Sequence, residues 1–223
     1  MNHKEKLKNI YSLSFSIADI SEIPQQYLEY ILLIGEQAYK QKGVYTVLVS
    51  LLTHKSLFPK QDIRKHQSSM PGGFSGRTID TLYITPTLKE LGLPSMAESG
   101  WLTRSLEQPY PYNLDYQGKI SNKAVKKAFL NIIDYVESRP EQVDNVLRLI
   151  LNKVIEVQAQ NIVSVAQLVN PDTLNILSIV SCLEEHFFTN YKVRGGSKLP
   201  VLAIYATYNS LLDEVKRYMK SVL

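Results

Sequence analysis

The residues best equipped for chemistry fall in three short clusters: Pro71-Gly72-Gly73-Phe74-Ser75-Gly76-Arg77, Ser99-Gly100-Trp101-Leu102-Thr103-Arg104-Ser105 and Glu107-Gln108-Pro109-Tyr110-Pro111-Tyr112. Arginine makes paired hydrogen bonds to guanine in the DNA major groove, glutamine does so to adenine, and serine or threonine serves several bases and phosphates. Arg64, Gln67, Ser75, Arg77, Thr103, Arg104, Ser105 and Gln108 supply that inventory. Gly72, Gly73 and Gly76 would let the backbone approach a phosphate closely, and Trp101, Tyr110 or Tyr112 offers a face for stacking. Each has a plainer structural reading as well. Trp101 serves equally as a core anchor, since large aromatics are highly buried. Arg77 with Asp80, or Arg104 with Glu107, makes a simple ion pair. His66, beside Arg64 and Lys65, is a further candidate for phosphate.

Catalytic constellations gain less from the sequence. A nucleophile elbow needs glycines two before and two after its serine, and Ser75 has Gly73 before but Arg77 after. A phosphate-binding P-loop fails too, because Gly76 is followed by Arg77-Thr78 without the required lysine spacing. The histidines, at 3, 54, 66 and 186, lack metal-ligand spacing with one another or with the single cysteine. That cysteine, Cys182, lies among Ile179, Val180 and Leu183, which reads as a buried structural thiol and excludes an internal disulfide. Asp213-Glu214-Val215-Lys216 contains Glu-x-Lys with Asp172 upstream, the ingredients of a Mg²⁺-dependent nuclease core. In that core the elements lie on adjacent strands, whereas here Leu211, Leu212, Val215 and Met219 trace an amphipathic helix. A complete small nuclease using Asp172, Glu214 and Lys216 is therefore the alternative reading.

The elements that must position these clusters are helical. Pro24 opens a helix to about Gln41, stopped by Gly43, with Tyr27, Ile31, Ile34 and Ala38 along one side. Residues 44–57 are apolar nearly all round, a buried helix or a strand, and periodicity does not separate the two. Residues 59–67 read as a short helix with a basic exposed side. Ser121 is the expected N-cap of a helix to about Ser138, with Val125, Ala128, Phe129, Ile132 and Val136 inward and Lys123, Lys126 and Lys127 outward. Pro140 starts another, burying Val143, Val146, Leu147, Ile150, Val154 and Val157. Asn170-Pro171-Asp172 opens a helix toward His186, and a loop over 191–198 leads through Pro200 into a last helix. The fold class is thus mainly α: one multi-helix domain over 1–223, with a helical body (24–67 and 121–223) and an irregular recognition segment over about 68–118. Connections of that length are functional or disordered, and the aromatic and aliphatic content of this one argues for order.

The chain has 223 residues, 44% of them apolar, ample for a buried core. Its net charge is only +4, but between Lys55 and Lys127 there are 11 basic and 6 acidic residues, against 14 and 15 elsewhere. A basic middle in a near-neutral body is the footprint of a polyanion binder, or of a solvated lysine face. The first residues lack the apolar core of a signal peptide, and no apolar run approaches a membrane span, so a cytoplasmic location without membrane contact is expected.

Arg64-x-x-Gln67, Gly73-Phe74-Ser75-Gly76-Arg77-x-x-Asp80-Thr81, the run Met96 to Pro109 containing Glu98-Ser99-Gly100-Trp101-Leu102-Thr103-Arg104-Ser105-Leu106-Glu107-Gln108, and Arg194-Gly195-Gly196-Ser197-Lys198-Leu199-Pro200 resemble a known family. It is the N-terminal half of a family of type II restriction endonucleases partnered with DNA cytosine methyltransferases. The resemblance implies site-specific DNA cleavage with Mg²⁺ by a separate α/β nuclease domain that follows the region equivalent to residues 199–223. This chain then reads as the recognition half without its catalytic half: it carries no catalytic residue and no cofactor of its own. The implied partners are double-stranded DNA, a catalytic domain or subunit, and a homodimer mate. Arg64, Gln67, Arg77, Arg104 and Gln108 are the expected base or phosphate contacts, and Lys119, Lys123, Lys126, Arg194 and Lys198 the backbone contacts. A helical protein-interaction domain is the remaining rival.

Overall fold

A computed structural model describes residues 1–16, 22–102 and 106–160, together with 181, 184, 201, 204–206, 208, 209, 211–213, 215 and 216. The molecule is mainly helical, and no strand occurs among the described residues. It divides into two compact units, Met1–Gln158 and Ala159–Leu223, where the sequence reads as one domain.

The first unit is built around α3 (Lys42–Leu57), in which every residue from Val44 to Lys55 is buried. This resolves the helix-or-strand ambiguity, because a helix apolar all round belongs in the centre of a bundle. Its small polar residues are compatible with that place: Ser50 Oγ donates to the Thr46 carbonyl at 2.9 Å and Thr53 Oγ1 to the Val49 carbonyl at 2.7 Å. Around it pack α1 (His3–Leu13), α2 (Gln25–Gln37) and α6 (Lys123–Ser138), with α2 lying along α6. A 3₁₀ turn at Pro140–Gln142 then leads into α7 (Val143–Gln160), whose Val143, Val146, Leu147, Ile150 and Val154 are buried as the periodicity predicts. No helix among the described residues is long and apolar enough to cross a membrane.

Two local expectations need correction, and one further helix precedes α2. The first helix begins at His3: Asn2 Oδ1 accepts the Glu5 N–H at 2.9 Å and Glu5 Oε2 accepts the Asn2 N–H at 3.0 Å, a capping box legible as Asn-x-x-Glu. The cap of α6 is Asn122, whose side chain accepts from the N–H groups of Ala124 and Val125, and not Ser121. Residues 59–67 form turns, bends and irregular chain instead of a helix. Their backbone groups are claimed from outside. Glu137 accepts the Ile63 N–H at 2.9 Å, and the Arg64, Lys65 and His66 carbonyls accept from Tyr112, Phe74 and Gly76. A local helix cannot form where tertiary partners take the hydrogen bonds it needs.

The segment expected to be irregular contains helix as well. Residues 76–90 run as α4 (Gly76–Ile79), a π turn (Asp80–Ile84) and α5 (Thr85–Glu90), and a 3₁₀ turn follows at Gly100–Leu102. Pro86 explains both the interruption and why the pattern hides it. Proline lacks an N–H and its ring crowds the carbonyl four residues back, and the widened turn, closed by Thr85 N–H on the Asp80 carbonyl, accommodates it.

Candidate functional site

The irregular chain over 64–67 is the seam of the site. It is laced on one side to Phe74 and Gly76 and on the other to Tyr112 by the backbone hydrogen bonds just described. His66 is the knot. Trp101 Nε1–H donates to its Nδ1 at 3.0 Å, so the other nitrogen carries the proton and donates to the Tyr110 carbonyl at 3.2 Å. Its ring stacks on Tyr112 at 3.9 Å, and burial pushes its pKa down to about 4. A neutral, fully enclosed imidazole is no phosphate contact, which corrects the sequence expectation for His66.

Trp101 is likewise the anchor of the two readings considered. It is 2% exposed, and Gly76 is shaped to it: a Cβ at Gly76 would lie 2.8 Å from Trp101 Cζ2. Gly73 is equally committed, since a Cβ there would meet the Gln67 carbonyl at 2.1 Å. These two glycines serve internal close packing, where the sequence suggested approach to phosphate. The turn that carries Trp101 is pinned by Asp80, which accepts from Thr85 Oγ1, Ser99 Oγ and the Gly100 N–H at 2.7 to 2.8 Å. Burial raises the Asp80 carboxyl, against the pull of those hydrogen bonds. Asp80 is therefore not the partner of Arg77.

Arg77 instead reaches Glu107, Nη1 to Oε1 at 2.8 Å, with both side chains about half exposed. Gln67 crosses the same gap and donates its Nε2–H to the Glu107 carbonyl at 2.8 Å. Between these groups opens a cleft of about 450 Å³, lined by Gln67, Ser68, Ser69, Ser75, Arg77, Glu107 and Pro109, with His66 and Trp101 as its floor. Tertiary structure thus brings together Gln67, Ser75, Arg77 and Trp101 from the predicted set. Ser68 and Ser69 join them unannounced, Glu107 joins as the partner of Arg77 where the sequence offered it to Arg104, and no local spacing could have linked 77 to 107.

Other predicted residues are placed differently. Arg64 is held by Asp62, Nε to Oδ1 at 2.9 Å and Nη2 to Oδ2 at 3.2 Å, so its fork is occupied within its own turn. Ser75 caps α4 by accepting the Thr78 N–H. Gln108, Lys119 and Lys123 are exposed, and Lys126 lies over the Tyr116 ring at 5.6 Å. Lys55, counted in the basic middle, is buried on Glu137 at 2.9 Å and belongs to the core. Thr103, Arg104, Ser105, Asp172, Glu214, Arg194 and Lys198 lie outside the described residues, as does Cys182. The described residues near Glu214 are helical, and Lys216 pairs with Asp213 one turn away at 3.7 Å, an ordinary helix-surface contact. No group of three or more metal-ligating side chains converges among the described residues.

No family model, curated protein or solved structure matches this chain.

Proposed function

We propose that this chain binds double-stranded DNA sequence-specifically, as the recognition part of a type II restriction endonuclease, with the cleft beside Arg77 turned to the duplex. The carrying observation is the convergence of a guanidinium, a carboxylate, an amide and three serine hydroxyls on one open cleft with a rigid aromatic floor. Such groups read base edges and phosphates. The resemblance of residues 64–109 to the endonuclease family supports the same reading. Within it Arg77 is the base reader, Gln67 braces the cleft, and the exposed Lys119 and Lys123 contact phosphate.

The reading places the protein in the cytoplasm, with a catalytic domain or subunit and a second copy as partners. Mg²⁺ belongs to the cleavage step that the family resemblance implies, and its ligands would be supplied by the separate nuclease domain. The test is selection from randomised duplexes at about 50 and 200 mM salt, a range over which phosphate contacts lose much of their affinity. Enrichment of one short site is the expected result. Failure to bind any duplex at either salt overturns the proposal.

A further inference from the structure

The rim of the cleft holds a guanidinium and a carboxylate side by side. Arg77 Nη1 donates to Glu107 Oε1 at 2.8 Å. Arg77 Nε and Nη2 and Glu107 Oε2 make no further hydrogen bond among the described residues. A guanidinium joined to a carboxylate through one Nη1–Oε1 hydrogen bond keeps donors beside an acceptor. In the major groove a G·C pair offers the reverse: the N7 and O6 acceptors of guanine beside the N4 amino donor of cytosine. The two rows meet without breaking the ion pair. An A·T pair sets the adenine amino group against the guanidinium and thymine O4 against the carboxylate. The inverted T·A pair offers the guanidinium one acceptor in place of two.

Both side chains stand on the same buried scaffold. The Glu107 carbonyl is held by Gln67, and the carbonyl of Leu106 beside it accepts the buried Tyr112 hydroxyl at 2.6 Å. Arg77 follows Gly76, which is seated on Trp101. Their exposed ends are hydrated until a duplex docks, so the pair itself contributes little to folding. We propose that Arg77 and Glu107 together read one G·C base pair in the major groove, Arg77 on the guanine and Glu107 on the cytosine amino group. This rests on the DNA-binding reading, and it makes Glu107, which the sequence offers only as an ion-pair partner, a reader of a base.

The experiment is selection from randomised duplexes with the full chain, its Arg77→Ala and Glu107→Ala variants, and thermal melting of each to confirm folding. The expected result is a wild-type site with an obligatory G·C at one position, and loss of roughly 5–150-fold discrimination at that position in both variants. Placing 7-deazaguanine there removes the N7 acceptor and weakens wild-type binding, a readout that needs no variant. A selected site that lacks an obligatory G·C, that both variants read as the wild type does, or that tolerates 7-deazaguanine overturns this inference and leaves the DNA-binding reading standing. Absence of any selection by the wild type overturns both.

Discussion

At the scale of single residues, the site depends on groups that look functional by type and turn out to be structural by partner. His66 accepts from Trp101, donates to Tyr110 and lies against Tyr112, so it is stable only when neutral. Its folded pKa of about 4 lies below the ordinary value of 6.5, so the unfolded chain takes up the proton first. The stability His66 lends is therefore full above pH 6.5 and is lost as pH falls toward 4, by about 3 kcal/mol. His54, also pushed down to about 4 by burial and by nearby His3, steepens the same fall. Denaturant titrations across pH 4 to 7.5 should show it, and His66→Phe should flatten the slope while lowering stability at neutral pH. An unchanged slope in that variant would remove His66 from the account. Gly76 gives a second residue-scale prediction. Gly76→Ala places a methyl against the enclosed Trp101 ring and should cost about 1–3 kcal/mol. Emission of Trp101, the chain's only tryptophan, should shift to the red, and a variant with native stability and spectrum would contradict the close fit.

At the scale of elements, caps and interruptions set where the helices lie. The Asn122 side chain accepts from two N–H groups at the start of α6, each at 3.1 Å. Asn122→Ala should therefore cost about 1 kcal/mol, while Ser121→Ala should change stability by no more than a few tenths. Equal effects of the two would return the cap to Ser121. The inward stripes of α6 and α7 were legible from periodicity because an amphipathic helix writes its buried face at intervals of three and four. The helical run over 76–90 was not. Its single buried face is short, and Pro86, which reads locally as a breaker, is absorbed by the π turn ahead of it. Over 59–67 the reverse holds: Pro59 and the basic residues 60, 64 and 65 read as a short helix with a basic exposed side, yet Glu137, Tyr112, Phe74 and Gly76 take the backbone bonds from elsewhere.

At the scale of the whole molecule, the basic middle of the sequence is only in part a basic surface. Lys55 is buried on Glu137 and Arg64 is held by Asp62, so neither contributes freely to a basic surface. Lys119 and Lys123 remain exposed. If they contact phosphate, replacing both by alanine should weaken binding alike on all sequences and reduce the slope of log K against log salt by about 2. An unaltered slope would assign them to solvent. Arg77→Ala should differ in kind, since its loss falls on one position of the site.

The sequence by itself determined that the chain is mainly helical, which faces of α2, α6 and α7 are buried, and which residue types crowd between α3 and α6. Those properties are local: period, cap and composition act within a few residues of one another. Tertiary structure alone decided what those residue types do. Trp101 and His66 became a pillar because burial removes water as a partner and leaves each the other's nitrogen. Arg77 found Glu107, and Asp80 found Ser99 and Gly100, because hydrogen bonds and charges act through space across 19 to 30 residues of chain. No spacing rule reaches that far, so the cleft was visible beforehand only as an inventory of its parts.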